Sequence, residues 1–290
     1  MIPFKDNIPT SRFPIVTVLL IVANIAVFAW QLTFPDDDYR SPETRELGLP
    51  ERDQNAVEFG AIPFRILHPG EDCAVGVVPR EGKRPRPEVV CEGTPDYEDA
   101  EDLADDGAAP LVPMDGAVWW LTVFTSMFMH AGFLHLAGNM LFLWVFGNNV
   151  EDSMGRLRFL LFYLAAGIVA VYAEAILAPG STLPTIGASG AVSGVLGGYI
   201  LLYPRARILT MIIVIFFFTF IEIPALIMLG IWFVLQALPA FGELATPDLG
   251  GQAGGIAYLA HVGGFIFGLA TIKLLANRHR SGEATAAPGY

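Results

Sequence analysis

Charge is scarce in this 290-residue sequence: Asp, Glu, Lys and Arg make up 16% of it. An ordinary soluble domain carries about a quarter. With 53% hydrophobic residues, that shortage excludes both an ordinary soluble enzyme and a disordered chain. Basic residues are in deficit, and a net charge of −12 leaves no footprint for nucleic acid. No His-Glu-x-x-His pattern occurs, and His130 and His135 stand five apart, which argues against a zinc membrane protease and against any bound metal. Cysteine occurs only twice, as Cys73 and Cys91.

What is present is apolar sequence in runs of membrane-spanning length, so the bilayer is the relevant solvent. Residues 14–33 form an uncharged run able to cross about 30 Å of hydrocarbon. The run is longer than a signal-peptide core and no small-residue cleavage site follows it, so a retained first span is expected. Five further runs lie near 132–150, 157–178, 188–203, 224–241 and 257–275. Ala117 to Met129, with Trp119 and Trp120, is too short to span and suits the membrane interface. The apolar stretch 208–241 is too long for one span at about 1.5 Å per residue. Pro224 is its natural break, so 208–222, with Phe216, Phe217 and Phe218, is expected to be a loop or partial insertion.

The acids are gathered, not spread. Residues 34–116 hold 21 of the 29 acidic and 8 of the 17 basic residues, a net −13, and the remainder is near neutral at +1. Outside that insertion, Lys5, Arg12, Arg156, Arg158, Arg205, Arg207, Lys273, Arg278 and Arg280 all fall on one side of a six-span arrangement. The positive-inside rule makes that side the cytoplasm. The expected organisation is a cytoplasmic N-terminus and first span (1–33), an acidic extracytoplasmic insertion (34–116), a core of five spans (117–276) and a cytoplasmic tail (277–290). Cys73 and Cys91 then lie outside, where they can close a small loop as a disulfide; two free thiols are the alternative.

Polar residues in spans are costly and are functional candidates by default. Here they collect at one depth. The second span opens with His130, His135 and Asn139, the fourth with Gly187-Ala188-Ser189-Gly190, and the sixth with Ala260-His261. All three are extracellular ends under a topology derived from Lys and Arg alone. Ser189 to Tyr203 gives about 22 Å of helix, some 8 Å short of the hydrocarbon thickness. The fourth helix therefore starts inside the membrane, and the preceding backbone must be buried in protein or line a watery cavity. Gly190, Gly194 and Gly198, and Gly264 and Gly268 on the face of His261, allow two helices to approach closely. Ser189 is then a candidate nucleophile and His261 its base. The Ser189 backbone N–H, the Asn139 amide and the His135 ring are candidate donors to an oxyanion. No acid shares this level, so a Ser-His-Asp triad is not expected. Glu174 and Glu222 are the nearest, read as a packed or snorkelling carboxyl and a loop-to-span junction.

Three stretches together resemble the bacterial rhomboid family of intramembrane serine proteases: His130-Ala-Gly-Phe-Leu-His135-Leu-Ala-Gly-Asn139, Gly187-Ala-Ser189-Gly190, and Ala260-His261-Val-Gly-Gly264-Phe-Ile-Phe-Gly268. The resemblance runs from Ile2 to about Ala276, interrupted by the insertion. It implies an all-α, six-helix membrane bundle with a Ser189–His261 dyad, oxyanion donors at His135 and Asn139, and His130, Gly187 and Gly190 close behind the site. It also implies that Glu151 ties down neighbouring loops. It further implies lateral substrate entry near span five and the cap loop 242–256, which carries Gly250, Gly251, Gly254 and Gly255. Two departures stand out. Trp119-Trp120-Leu121-Thr122 lacks the Arg that follows Trp in some relatives, and Ser193 occupies the place of a Tyr that stacks on the base in others. What holds His261 is left to packing alone or to another aromatic. The expected activity is hydrolysis of transmembrane or membrane-proximal segments of other proteins in the cell membrane, without metal or other cofactor. The alternatives are an inactive relative that binds membrane clients, and a transporter. A transporter or channel predicts polar residues through the full depth and internal repeats, whereas here they lie mainly on the outer side and no obvious repeat occurs.

Overall fold

The computed structural model describes residues 1–34, 37–80, 86–114, 116–214, 217–245 and 256–277. The chain opens with a short strand, β1 (Ile2–Asp6), and a first apolar helix, α1 (Ile15–Gln31). Four helices of the acidic segment follow in part: α2 (Pro42–Glu46), α3 (Glu51–Phe59) and α4 (Pro63–Leu67), then strands β2 (Cys73–Val78) and β3 (Arg86–Cys91), then α5 (Pro95–Asp105) and β4 (Val112–Pro113). Proline stands at the first position of α2, α4 and α5, where its missing N–H leaves no helical bond unmade. β2 pairs antiparallel with β3 and, on its other edge, with β4. Cys73 and Cys91 are directly opposed in that ladder and are joined as a disulfide.

The remaining elements are α6 (Trp119–Thr125), α7 (Phe133–Phe142), a π-helical turn (Leu143–Gly147) running into α8 (Asn148–Met154), α9 (Arg156–Leu177), α10 (Ser189–Leu202), strands β5 (Arg207–Val214) and β6 (Phe217–Pro224), α11 (Ala225–Ala245) and α12 (Tyr258–Leu275). α9, α11 and α12 are each long and apolar enough to cross a bilayer. Their outer faces are open and apolar, with Leu161 and Ile176 on α9 and Leu226, Leu238 and Phe241 on α11 exposed. Together these make a helical membrane protein.

The stretch 208–222 is not a loop. β5 and β6 form a hairpin with Arg207 opposite Pro224, and β1 adds a third strand to β5. An uninterrupted apolar run carries no periodicity to separate a buried strand from a partial span, and this hairpin has such a run.

Burial identifies α10 as the central helix: 12 of its 14 residues are buried. It packs between α9 and α12. At about 21 Å it is far shorter than the hydrocarbon thickness. The N-terminal strand and the residues that follow α12 meet near the C-terminal end of α10. Asp6 accepts hydrogen bonds from the Tyr199 hydroxyl and the Asn149 amide, the Asn277 N–H donates to Ser153 O at 2.9 Å, and Arg158 donates to Leu275 O at 3.3 Å. Glu151 caps α1 from the same end, accepting from the Thr17 N–H and Oγ1, each at 2.8 Å. The acidic segment docks at the opposite end, where the backbones of Ala61 and Thr185 exchange two hydrogen bonds.

Candidate active site

Ser189 is the first residue of α10, so its N–H has no carbonyl partner within the helix. The chain enters that position through Gly187, whose φ of +124° L side chains rarely adopt. Space demands glycine there as well. A Cβ on Gly187 would sit 2.8 Å from His135 Nε2. The Gly187 N–H donates to Ser126 O at 2.8 Å, which fixes the turn.

The glycine faces of α10 and α12 bring the two backbones into contact. A Cβ on Gly264 would lie 2.2 Å from Gly190 O, and one on Gly268 would lie 2.0 Å from Gly194 O. Gly190 also lies against α9, where an added Cβ would fall 2.5 Å from Ala170 Cβ. The close approach puts the Ser189 Oγ 2.8 Å from His261 Nε2. His261 is 9% exposed.

The other ring nitrogen is engaged from α11. His261 Nδ1 lies 2.7 Å from Gln236 Oε1. Trp232, one turn earlier on α11, has its ring 6.2 Å from the imidazole, and Tyr258 approaches edge-on at 6.4 Å. Ser193 does not reach His261; its hydroxyl donates to Ser189 O at 2.6 Å. Glu174 is a packed carboxyl, not a snorkelling one. It is buried, and its Oε2 accepts the N–H of Ala260 at 2.8 Å. Ala260 is the third residue of α12, so the carboxylate satisfies one of the donors that a helix start leaves open. Glu222 is exposed at the hairpin base, 3.4 Å from Arg207.

α7 supplies the opposite wall. His135 and Asn139 stand one turn apart and both line a cavity of about 320 Å³ shared with Ser189, His261, Trp232 and Gln236. The cavity wall is mostly apolar, and among the described residues no carboxylate or cation lines it. Asn139 Nδ2 is buried without a hydrogen-bond partner, a donor held in reserve. His130 is outside the cavity wall, its ring 5.1 Å from that of His135. Gln31 of α1 pins the His130 backbone, accepting from its N–H at 3.0 Å and donating to its carbonyl at 3.1 Å.

Three contributors were not reached from the sequence: Gln236, Gln31 and the capping role of Glu174. The signal for Gln236 was available. Ala225, Leu229, Trp232, Gln236 and Ala240 follow a helical stripe, and Gln236 is the polar residue on it. Of the expected cap loop, residues 246–255, including Gly250, Gly251, Gly254 and Gly255, lie outside the described residues, as do Phe216, Arg278 and Arg280.

Comparison with known proteins bears on the same region. Residues 117–278 match the rhomboid domain model. The chain is 37% identical over 147 residues to rhomboid protease GluP of Bacillus subtilis, covering 50% of this chain and 26% of that protein. It is 30% identical over 153 residues to the mitochondrial rhomboid protein 1 of Saccharomyces cerevisiae (51% and 40%). It is 28% identical over 149 residues to the mitochondrial presenilin-associated rhomboid-like protein of Homo sapiens (50% and 35%). The matched stretch is thus well under half the length of each relative. The matched domain covers more than half of this chain and contains every residue that lines the cavity, and the chain belongs to the rhomboid family.

Proposed function

We propose that the protein is an intramembrane serine endopeptidase that cleaves transmembrane or membrane-proximal segments of other membrane proteins. The observation that carries this reading is the 2.8 Å contact between the Ser189 hydroxyl and His261 Nε2 at the edge of a cavity with an unused hydrogen-bond donor, Asn139 Nδ2. His261 takes the Ser189 proton as Oγ attacks the scissile carbonyl carbon. The negative charge that develops on the carbonyl oxygen meets three donors: Asn139 Nδ2–H, a His135 ring N–H and the Ser189 backbone N–H. The C–N bond breaks as His261 returns the proton to the departing amine. Water, deprotonated by the same imidazole, then releases the acyl group from Ser189. His130, Gly187 and Gly190 support the site from behind.

The substrate must present an unwound peptide bond, because a helical carbonyl is already hydrogen-bonded within its helix. Segments with Gly, Pro or polar residues are favoured, with a small residue at the cut. The chain crosses the membrane six times, using α1, α7 with α8, and α9 to α12. Its basic end, with both termini, faces the cytoplasm. The acidic segment 34–116 and the cavity mouth face outward from a cell membrane. Residues 117–276 form the catalytic core and 277–290 a cytoplasmic tail.

The test is a fluorophosphonate probe on the detergent-solubilised protein, with Ser189→Ala and His261→Ala beside it. Labelling of the wild type alone, with matching loss of membrane-protein cleavage, is the expected result. Labelling of Ser189→Ala equal to that of wild type removes Ser189 as the nucleophile. A folded wild type that neither labels nor cleaves marks an inactive, client-binding relative instead.

A further inference from the structure

The dyad as read above leaves the base half explained: an imidazole can accept a serine proton only if the nitrogen facing it is bare. We infer that Gln236 is a positioning residue that holds His261 in the productive tautomer, and so makes the base depend on the seating of α11. This inference rests on the Ser189–His261 reading and adds a third member to it.

His261 Nδ1 faces Gln236 Oε1 at 2.7 Å, and a carbonyl oxygen only accepts. The ring proton is therefore on Nδ1, and the lone pair on Nε2 points at the Ser189 hydroxyl 2.8 Å away. The role is that of the acid in a Ser-His-Asp triad, filled by a neutral amide that orients the ring and stabilises its protonated form less than a carboxylate would. A neutral partner suits the surroundings, since the cavity wall carries no counter-charge among the described residues. The amide comes from a helix held to α12 by a narrow contact. Trp232 and Phe233 lie against Phe265, with Phe233 stacked on it at 4.6 Å, while Val234, Leu235 and Leu238 on the same helix are exposed. A displacement of α11 that frees those rings withdraws Gln236 from His261.

The experiment measures the second-order rate of fluorophosphonate labelling at Ser189 against pH, in detergent, for wild type, Gln236→Leu and Gln236→Glu, with thermal stability recorded alongside. Other groups near the imidazole are His135 from α7, with His130 behind it, Tyr258 on α12, and Glu174 of α9, whose carboxylate holds the Ala260 N–H. They are common to all three proteins, so differences between the profiles read position 236. Gln236→Leu should label about tenfold or more slowly while keeping its fold, because the ring loses the acceptor that fixes its tautomer. Gln236→Glu keeps an acceptor in place. It should retain labelling at alkaline pH and move the acidic limb upward by about one unit or more, as a carboxylate favours the protonated imidazole. Wild-type rates and an unshifted profile in both variants overturn the inference. If Gln236→Leu does not fold, the Gln236→Glu profile decides alone, and an unshifted acidic limb overturns it. Absence of labelling in the wild type is a different failure, that of the dyad itself.

Discussion

Replacing Gly264 by Ala adds one methyl group, and the site should respond as though a wedge had been driven into it. Gly264 lies one turn beyond His261 on α12 and faces Gly190, the residue after Ser189. The new Cβ would stand 2.2 Å from Gly190 O and 3.1 Å from Gly190 C. Ordinary carbon–oxygen contact begins near 3.3 Å, so the helices must part by about 1 Å. Backbone atoms oppose the methyl group, so no side chain can swing aside to relieve it. The Ser189–His261 contact of 2.8 Å opens with the helices to about 3.8 Å, beyond hydrogen-bond range. Misplacement on that scale costs about 100-fold in rate, and overpacking removes about 1–3 kcal/mol of stability. The assay is fluorophosphonate labelling with a thermal melt. Gly268→Ala meets Gly194 O at 2.0 Å but about 6 Å further from the dyad; it should lose stability comparably and keep more labelling. Gly230→Ala, with nothing within 4 Å of the new Cβ, should label as wild type and gain up to about 1 kcal/mol. A folded Gly264→Ala protein that labels at the wild-type rate refutes the dependence of the dyad on backbone contact between α10 and α12.

Two further outcomes are expected. Asn139→Ala removes the buried amide donor that has no partner in the resting structure, so it should lower the cleavage rate about 10²- to 10³-fold with little change in KM and no loss of fold; a KM effect alone assigns Asn139 to substrate binding instead. Asp6, wedged against Tyr199 and Asn149, has its carboxyl pushed up to about 6, chiefly by burial, with those hydrogen bonds working in the opposite direction. An acid with a raised folded-state value takes up a proton on folding, so its contribution is most favourable below its ordinary value of 3.8 and worsens as pH rises to about 6. Asp6→Asn removes this term, so the melting temperature of the variant relative to wild type should rise between about pH 4 and 6.5, then level off, by the equivalent of about 2–3 kcal/mol. A difference that stays flat with pH contradicts it.

The helices were legible because hydropathy dictates where a chain can sit in lipid, and runs of 16–22 residues leave little choice. The grouping of Ser189, His261, His135 and Asn139 was expected from where those runs start, and the four line one cavity. The hairpin at 207–224 was not legible, because Ile, Val, Phe and Thr without interruption suit a strand and a membrane segment alike. Gln236 was missed for a different reason. Polar residues near the ends of spans drew attention by type, whereas this one matters through the face it occupies. Glu174 shows the limit of one-dimensional reading, since its partner is an N–H 86 residues away, in a helix whose start has no capping side chain of its own.

The acidic segment looks from its composition like an appendage, but its backbone reaches the site. Residues 179–188, ahead of the short α10, are irregular backbone, and the proposed span arrangement puts them at membrane level, where each unpaired N–H or C=O is costly. Much of what satisfies that loop comes from the insertion. Ala61 and Thr185 bond in both directions, at 3.0 and 2.8 Å, and the Phe64 N–H donates to Ser181 O at 2.9 Å. Gly60 permits the approach, since a Cβ there would lie 2.9 Å from Pro184 Cβ. Ile62 and Phe64, in the same stretch, are buried in a cluster with the Cys73–Cys91 pair. The acids of α5 and the turn after it point elsewhere: Glu98, Asp99, Glu101, Asp102, Asp105 and Asp106 are all exposed. One face of the segment is therefore solvated by charge while the other supplies hydrogen bonds to the loop that ends at Ser189. Ser189 is fixed from two directions, laterally by glycine contact between α10 and α12, and at the helix start by a brace that hydropathy alone could not place.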